Sequence, residues 1–247
     1  MSNERIITVA AAQIPQDNNP ERNLARMLYL MNSSMQEIIC FPENSLSGTN
    51  TQVDLYPYHK ALAERAREKN LYVVYGCYED LKRNPDSPAI YNMVYMIDNR
   101  GLRCASYAKI NLWDEPGVKA GNKIDIINTP LGKFGFAASW DLAHDFPIRE
   151  YGKREIDVLF CPSYWYGREY RTTEVIDKLP LSTAFKNQFY VVYTDAYAEN
   201  GDTPGKSKIC SPLRVLAEAK PQQEDVIVAN LNLSKLKEWR DRFNCWK

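Results

Sequence analysis

Apolar positions along the chain recur in two patterns. Short runs rich in β-branched and aromatic residues occupy 6–14, 37–41, 71–78, 91–98, 103–110, 134–139, 157–162, 189–196 and 226–233, the composition and length expected of strands. Over 21–35, 59–70 and 233–243 apolar residues instead recur at three- and four-residue spacing, which predicts amphipathic helices. Asn19-Pro20 precedes the first of these and suits a helix start with proline in its first turn. The succession of strands through 71–110 implies antiparallel neighbours, and the mixture as a whole implies sheets covered by helices. Arg83 to Pro88, RNPDSP, reads as a turn-rich hairpin connection within that succession. With no repeat, low-complexity tract or dividing linker, residues 1–247 are expected to form one domain.

Charge narrows the partners. Lys plus Arg and Asp plus Glu are 31 each, so the overall balance does not point to nucleic acid or to an anionic membrane surface. No window approaches the ~18 or more uninterrupted apolar residues of a membrane span, and the first residues read as a strand rather than a cleavable leader. A soluble, cytoplasmic protein is the expectation. The six cysteines, at 40, 77, 104, 161, 210 and 245, form no CxxC pair and several lie in apolar runs. They read as reduced, mostly buried thiols rather than a disulfide framework or a zinc site. His59 and His144 are the two histidines, a poor supply for Ser-His-Asp or His-based metal chemistry. Neither GxGxxG nor GxxxxGK[ST] occurs, which removes the usual sequence evidence for dinucleotide or NTP binding.

Three strand ends deliver polar residues into turns, where a scaffold of this kind tends to carry its chemistry. Ile38-Ile39-Cys40-Phe41-Pro42 leads to Glu43; Tyr107-Ala108 leads to Lys109, with Trp113-Asp114-Glu115 close behind; Phe134 to Ala138 leads to Ser139-Trp140-Asp141, then Phe146-Pro147. Taken singly, Glu43 could cap a loop, Lys109 could be a solvated strand residue, and Ser139 could begin a turn. Cys40 and Cys161 also lie near strand ends, but each precedes an apolar or proline residue and reads as a core thiol.

Together, and in this order, the segments resemble the nitrilase (carbon-nitrogen hydrolase) superfamily, in its amidase-like branch. The likeness extends over nearly the whole chain: Gln13 and Asn23 near the start, Tyr91-Asn92 through Asp98 and Gly101, Pro162-Ser163 with Trp165, and Gly205-Lys206-Ser207, Ser211-Pro212 and Val215-Leu216-Ala217 near the end. It departs at Thr183-Ala184-Phe185-Lys186-Asn187, which keeps the Ala and Asn of the family's helix there but loses its Arg and Glu. The resemblance implies a four-layer α-β-β-α sandwich, usually paired into a homodimer or larger assembly. It implies hydrolysis of a non-peptide carbon-nitrogen bond in a small amide or N-carbamoyl amine, with no metal or organic cofactor. Glu43 maps to the general base, Lys109 to the oxyanion-stabilising lysine and Glu115 to the second glutamate. Trp113, Trp140, Tyr164, Trp165 and Tyr166 would line the pocket, with Lys119 or Arg168 available to a substrate carboxylate. The helix around 236–240 and the aromatic tail 243–246 offer a subunit contact, or pack on their own sheet.

Ser139 stands where the family has its nucleophilic cysteine. A thiol of reference pKa ~8.5 gains thiolate character beside a cation, whereas a hydroxyl must lose its proton during attack. Little or no turnover is therefore expected from the chain as it stands. Such a serine fits an engineered exchange in an active enzyme, a natural relative that binds a ligand or partner without catalysis, or a working serine nucleophile. Retention of Glu43, Lys109 and Glu115 favours the first of these, because a site no longer used for catalysis need not keep a base, an oxyanion-stabilising lysine and their support.

Overall fold

Successive residues of β1 (Ile6–Gln13) enter different apolar layers: Val9 and Ala11 join one buried cluster, Ala10 and Ala12 another. A strand buried on both faces must lie inside a stack of layers. The computed structural model describes residues 4–51, 53–82, 88–165, 173–199 and 201–243, and in it β1 is an interior strand of a seven-stranded sheet. That sheet runs β13 (Asp225–Asn232), β1, β2 (Ile38–Cys40), β3 (Tyr72–Asp80), β4 (Ile90–Ile97) and β5 (Arg103–Ala108), with β6 (Val118–Lys119) also paired to β4. β1, β2 and β3 are parallel, while β3, β4 and β5 form the antiparallel succession read from the sequence. Residues 83–87 of the expected hairpin connection lie outside the described residues.

The second sheet runs β12 (Val215–Glu218), β11 (Lys208–Cys210), β10 (Tyr190–Asp195), β9 (Val158–Ser163), β8 (Lys133–Phe136) and β7 (Ile126–Asn128). Its central strands β8, β9 and β10 are parallel. The two sheets face each other across Val74, Val94, Tyr107, Phe134, Phe160 and Val192, all buried.

Each sheet has a second apolar face, and helices cover it. α1 (Pro20–Ser33) begins where Asn19 accepts a hydrogen bond from the Arg22 N–H at 2.9 Å, an N-cap that satisfies one of the helix's free donors. Met27, Leu30 and Met31 of α1 and Leu62 and Ala66 of α2 (Tyr56–Glu68) close over Ile39, Val73 and Tyr75 of the first sheet. On the second sheet, α3 (Asp145–Lys153) and α4 (Thr173–Asn187) bring Ile148, Tyr151, Ile176 and Ala184 onto Leu159 and Val191. The result is the four-layer α-β-β-α sandwich. α5 (Lys235–Phe243) packs on its own chain: Leu236 joins the core between the sheets, Trp239 lies 5.8 Å from the Tyr190 ring, and Arg240 donates to the carbonyls of Ile156 and Gln188. Residues 244–246 of the aromatic tail lie outside the described residues. Among the described residues, no helix is long and apolar enough to cross a membrane.

Candidate active site

The turn after β2 carries Glu43, and Gly76 of β3 seats it. A Cβ at Gly76 would fall 2.6 Å from Asn44 N and 2.8 Å from Glu43 Cα, so a side chain there would push the carboxylate's turn off the sheet. Asn44 itself adopts φ 55°, a left-handed conformation that asparagine tolerates better than most residues. Lys109 follows β5, its N–H donating to Asn92 O at 2.8 Å and so continuing the pairing with β4.

Lys109 Nζ lies between two carboxylates, donating to Glu43 Oε1 at 2.8 Å and Glu115 Oε1 at 2.6 Å. All three side chains are at most 8% exposed. Asn92 Nδ2 donates to Glu43 Oε1 at 2.7 Å and Glu115 Oε2 at 2.8 Å, fastening the pair from the other side. The Tyr164 N–H donates to Glu43 Oε2 at 2.9 Å, and the Tyr78 hydroxyl donates to Glu115 Oε2 at 3.0 Å.

Electrostatics separates the two glutamates. Burial pushes Glu43 above the ordinary carboxylate range despite Lys109 beside it. Glu115 is less deeply buried; burial works against its charge, but Lys109, Asn92 and Tyr78 hold it below that range. Lys109 loses solvation on burial, yet its two carboxylate neighbours raise its pKa and keep it an ammonium ion. A carboxylate with raised basicity beside a fixed cation is a pairing suited to proton transfer and to stabilising developing negative charge.

Ser139 follows β8 through Ala137 and Ala138 and opens a short 3-10 turn, Ser139–Ala143. Its φ is 43°, an uncommon conformation for serine whose cost the surroundings must meet. Asp141 is the tether. Its Oδ2 accepts from Ala138 N at 3.0 Å and the Tyr107 hydroxyl at 2.6 Å, and its Oδ1 accepts from Asn111 N at 2.8 Å and Asn111 Nδ2 at 3.0 Å. The turn after β8 is thereby tied to β5 and to the loop just past Lys109. Asp141→Asn retains the shape but replaces one acceptor oxygen with a donor group. We expect a loss of about 1–3 kcal/mol, read as a lower urea midpoint; an unchanged midpoint would mean the turn does not depend on this carboxylate.

Glu43, Lys109, Glu115 and Ser139 line one cavity of about 290 Å³. Trp113, Trp140, Tyr164 and Trp165 line it too, so eight of the eleven residues singled out from the sequence meet there. The indole rings form a continuous wall, Trp113 to Trp140 at 4.4 Å and Trp140 to Trp165 at 5.3 Å. Trp165 is further fixed by its N–H, which donates to Asp195 Oδ1 at 3.0 Å. Lys119 is exposed on β6 and is not among the lining residues. Tyr166 and Arg168 lie outside the described residues.

The structural roles of Asn92, Tyr78 and Asp141 were not read from the sequence. A signal existed for Asn92, an amide within the apolar run Ile90 to Ile97 that is 1% exposed. Cys40 and Cys161 are fully buried core thiols as expected; burial pushes Cys40 up to about 12 and holds Cys161 well above the ordinary thiol range.

Residues 8–241 match the family model for carbon-nitrogen hydrolases. The chain belongs to the carbon-nitrogen hydrolase family. Among relatives, it is 24% identical over 271 residues to a deaminated glutathione amidase of Dictyostelium discoideum, covering 94% of this chain and 90% of that protein. A probable nitrilase of Schizosaccharomyces pombe is 26% identical over 255 residues, covering 95% and 92%. In three dimensions, the crystal structure of Saccharomyces cerevisiae Nit3, a member of branch 10 of the nitrilase superfamily, superposes with a TM-score of 0.86 at 21% identity, covering 98% of this chain and 96% of that one. At that identity the superposition establishes the shared carbon-nitrogen hydrolase fold.

Proposed function

We propose that this cavity is built to hydrolyse the carbon-nitrogen bond of a small-molecule amide or N-carbamoyl amine, with Ser139 standing at the nucleophile's position. The observation that carries this reading is the buried Lys109 held between Glu43 and Glu115 in the cavity that Ser139 lines. Glu43 acts as general base, taking the nucleophile's proton as the nucleophile bonds to the carbonyl carbon. That proton passes to the departing nitrogen as the carbon-nitrogen bond breaks. Water, deprotonated by the same carboxylate, then releases the acid. Lys109, with the Trp140 N–H, stabilises the tetrahedral oxyanion, and Glu115 keeps the lysine in place. Trp113, Trp140, Tyr164 and Trp165 enclose the substrate and exclude water. The amidase name of the Dictyostelium relative supports amides as a substrate class, and the probable-nitrilase name of the Schizosaccharomyces pombe relative is the reason nitriles join the assay.

With serine as the attacking group, this cycle runs slowly or not at all, and the framework survives as a binding site. The discriminating experiment is ammonia release by the chain and by Ser139→Cys against small amides, carbamoylated amines and nitriles. Turnover from the cysteine form supports the hydrolytic site. Silence from both folded forms favours a ligand-binding or interaction module, the reading for which Ser139 itself is the motivating observation. In either case the chain is expected to form a homodimer or larger assembly, checked by size exclusion with light scattering; a monomer at micromolar concentration would rule that out.

A further inference from the structure

Strand β3 has chemistry on both faces. Tyr78 points to the cavity and bonds Glu115, so Cys77 and Glu79, one residue to either side, point the opposite way, beneath α2. There His59 of α2 joins them: one donor atom each from His59, Cys77 and Glu79 lies within 4.8 Å of the others. This group is separate from the Glu43, Lys109 and Glu115 arrangement, and the mechanism proposed above does not use it.

Its hydrogen bonding is uneven. His59 Nδ1 pairs with the Tyr75 hydroxyl at 2.7 Å, while Nε2 is buried without a hydrogen-bond partner among the described residues. A metal-bound imidazole divides its nitrogens in this way, one fixed by a neighbour and the other turned to the ion. His59 Nε2 and Glu79 Oε2 are 3.5 Å apart, long for an N–H···O bond. Two ligands of one tetrahedral zinc ion, with Zn–N and Zn–O bonds of about 2.0–2.1 Å, stand roughly 3.4 Å apart. The Tyr95 hydroxyl donates to Glu79 Oε2 at 2.5 Å, fixing the carboxylate as Tyr75 fixes the imidazole.

We propose that His59, Cys77 and Glu79 form a zinc-binding site that clips α2 to β3. Nitrogen, thiolate sulfur and a carboxylate oxygen are a zinc donor set, whereas magnesium and calcium favour oxygen alone. Binding forms a Zn–S bond as the Cys77 proton passes to solvent. One thiolate and one carboxylate then neutralise the divalent charge beneath the helix. Arg103, 4.0 Å from Glu79 and 4.5 Å from the centre of the Tyr95 ring, remains outside the donor set. A cavity lined by Tyr95, Arg103 and Cys104 adjoins the group through Tyr95 and Arg103, both of which contact Glu79. With three protein ligands, a water completes the tetrahedron, and the bound ion braces the back of the strand that presents Tyr78 to Glu115. Sequence spacing conceals it, because one ligand comes from a helix and two from the strand packed beneath it.

The test is titration of the chain with cobalt(II), followed by displacement with zinc. One equivalent of cobalt is expected to produce a thiolate-to-metal charge-transfer band that zinc abolishes. Cys77→Ser should lose the band, and Tyr75→Phe should weaken binding roughly 10-fold by freeing the imidazole. Cys104→Ser, a thiol at the rim of the same cavity, should leave the titration unchanged. Because Cys77 is a core residue, His59→Gln provides a second reading, with folding checked by circular dichroism and a loss of affinity of about 100-fold or more expected. No band at one equivalent, a band surviving in Cys77→Ser, or unweakened binding by folded His59→Gln would each overturn the site.

Discussion

Ser139→Cys is expected to release ammonia from a small amide at a rate on the order of 10³ times that of the serine form or more, about 4 kcal/mol at ~1.4 kcal/mol per decade. The argument rests on the surroundings of position 139. Burial makes Glu43 a stronger base than an ordinary carboxylate, sufficient to share a thiol's proton but far short of the basicity needed to generate an alkoxide. Lys109 remains charged between its carboxylates and favours the thiolate. The turn need not be rebuilt, since Asp141 holds it through Ala138, Tyr107 and Asn111, none of which is altered. The native thiols do not supply a competing background, because Cys40 and Cys161 are fully buried and their thiols are held protonated. Parallel ammonia assays of the two proteins decide the matter. Equal rates would show that position 139 does not carry the nucleophile, even if some amide were hydrolysed.

The legible parts of this molecule are those in which one residue pattern has one physical solution. The runs that became β1, β3, β4 and β10 are long and buried on both faces, and their limits differ from the sequence reading by at most two residues at each end. α1 declared itself through Asn19, Pro20 and its apolar stripe. α4 did not: Pro180 lies inside it, and its polar and apolar residues alternate without a clear stripe. The turn Phe146-Pro147 similarly obscured α3. Short strands such as β6 and β7 are fixed by pairing with partners distant in sequence, a relation that local pattern does not contain. At the site, Glu43, Lys109, Glu115 and Ser139 could be named because the order of their segments matched a family. The second tier could not, because Asn92, Tyr78 and Asp141 act through contacts between elements: Asn92 on β4 reaches carboxylates after β2 and beyond β5. A hydrogen bond of that kind leaves no periodicity to read.

Lys109→Met should abolish the turnover gained by Ser139→Cys and destabilise the fold as well. Removing the ammonium leaves Glu43 and Glu115 sharing the Asn92 amide with no cation between them, and breaking a buried ion pair on one side costs about 3–5 kcal/mol. The sign of its pH dependence follows from the two carboxylates. In the present protein Glu115 sits below its unfolded pKa, so it contributes stability above the ordinary carboxylate range that is lost as pH falls through its depressed value. Glu43 sits above its unfolded pKa, so its contribution is complete at low pH and is lost as pH rises through the raised value. Without Lys109 both carboxylates move to the raised side, and both resist ionisation in the folded state. The stability gap between the two proteins should therefore be small near pH ~4, where the acids can be protonated, and should widen towards pH ~7. Adding Glu115→Gln to Lys109→Met should narrow the gap again at neutral pH, because a single buried carboxylate no longer faces a like charge. Urea unfolding of the three proteins across this range measures the effect. A gap independent of pH would mean that Lys109 stabilises the fold through its packed stem, and the electrostatic basis assigned to Glu43 as general base would fall with it.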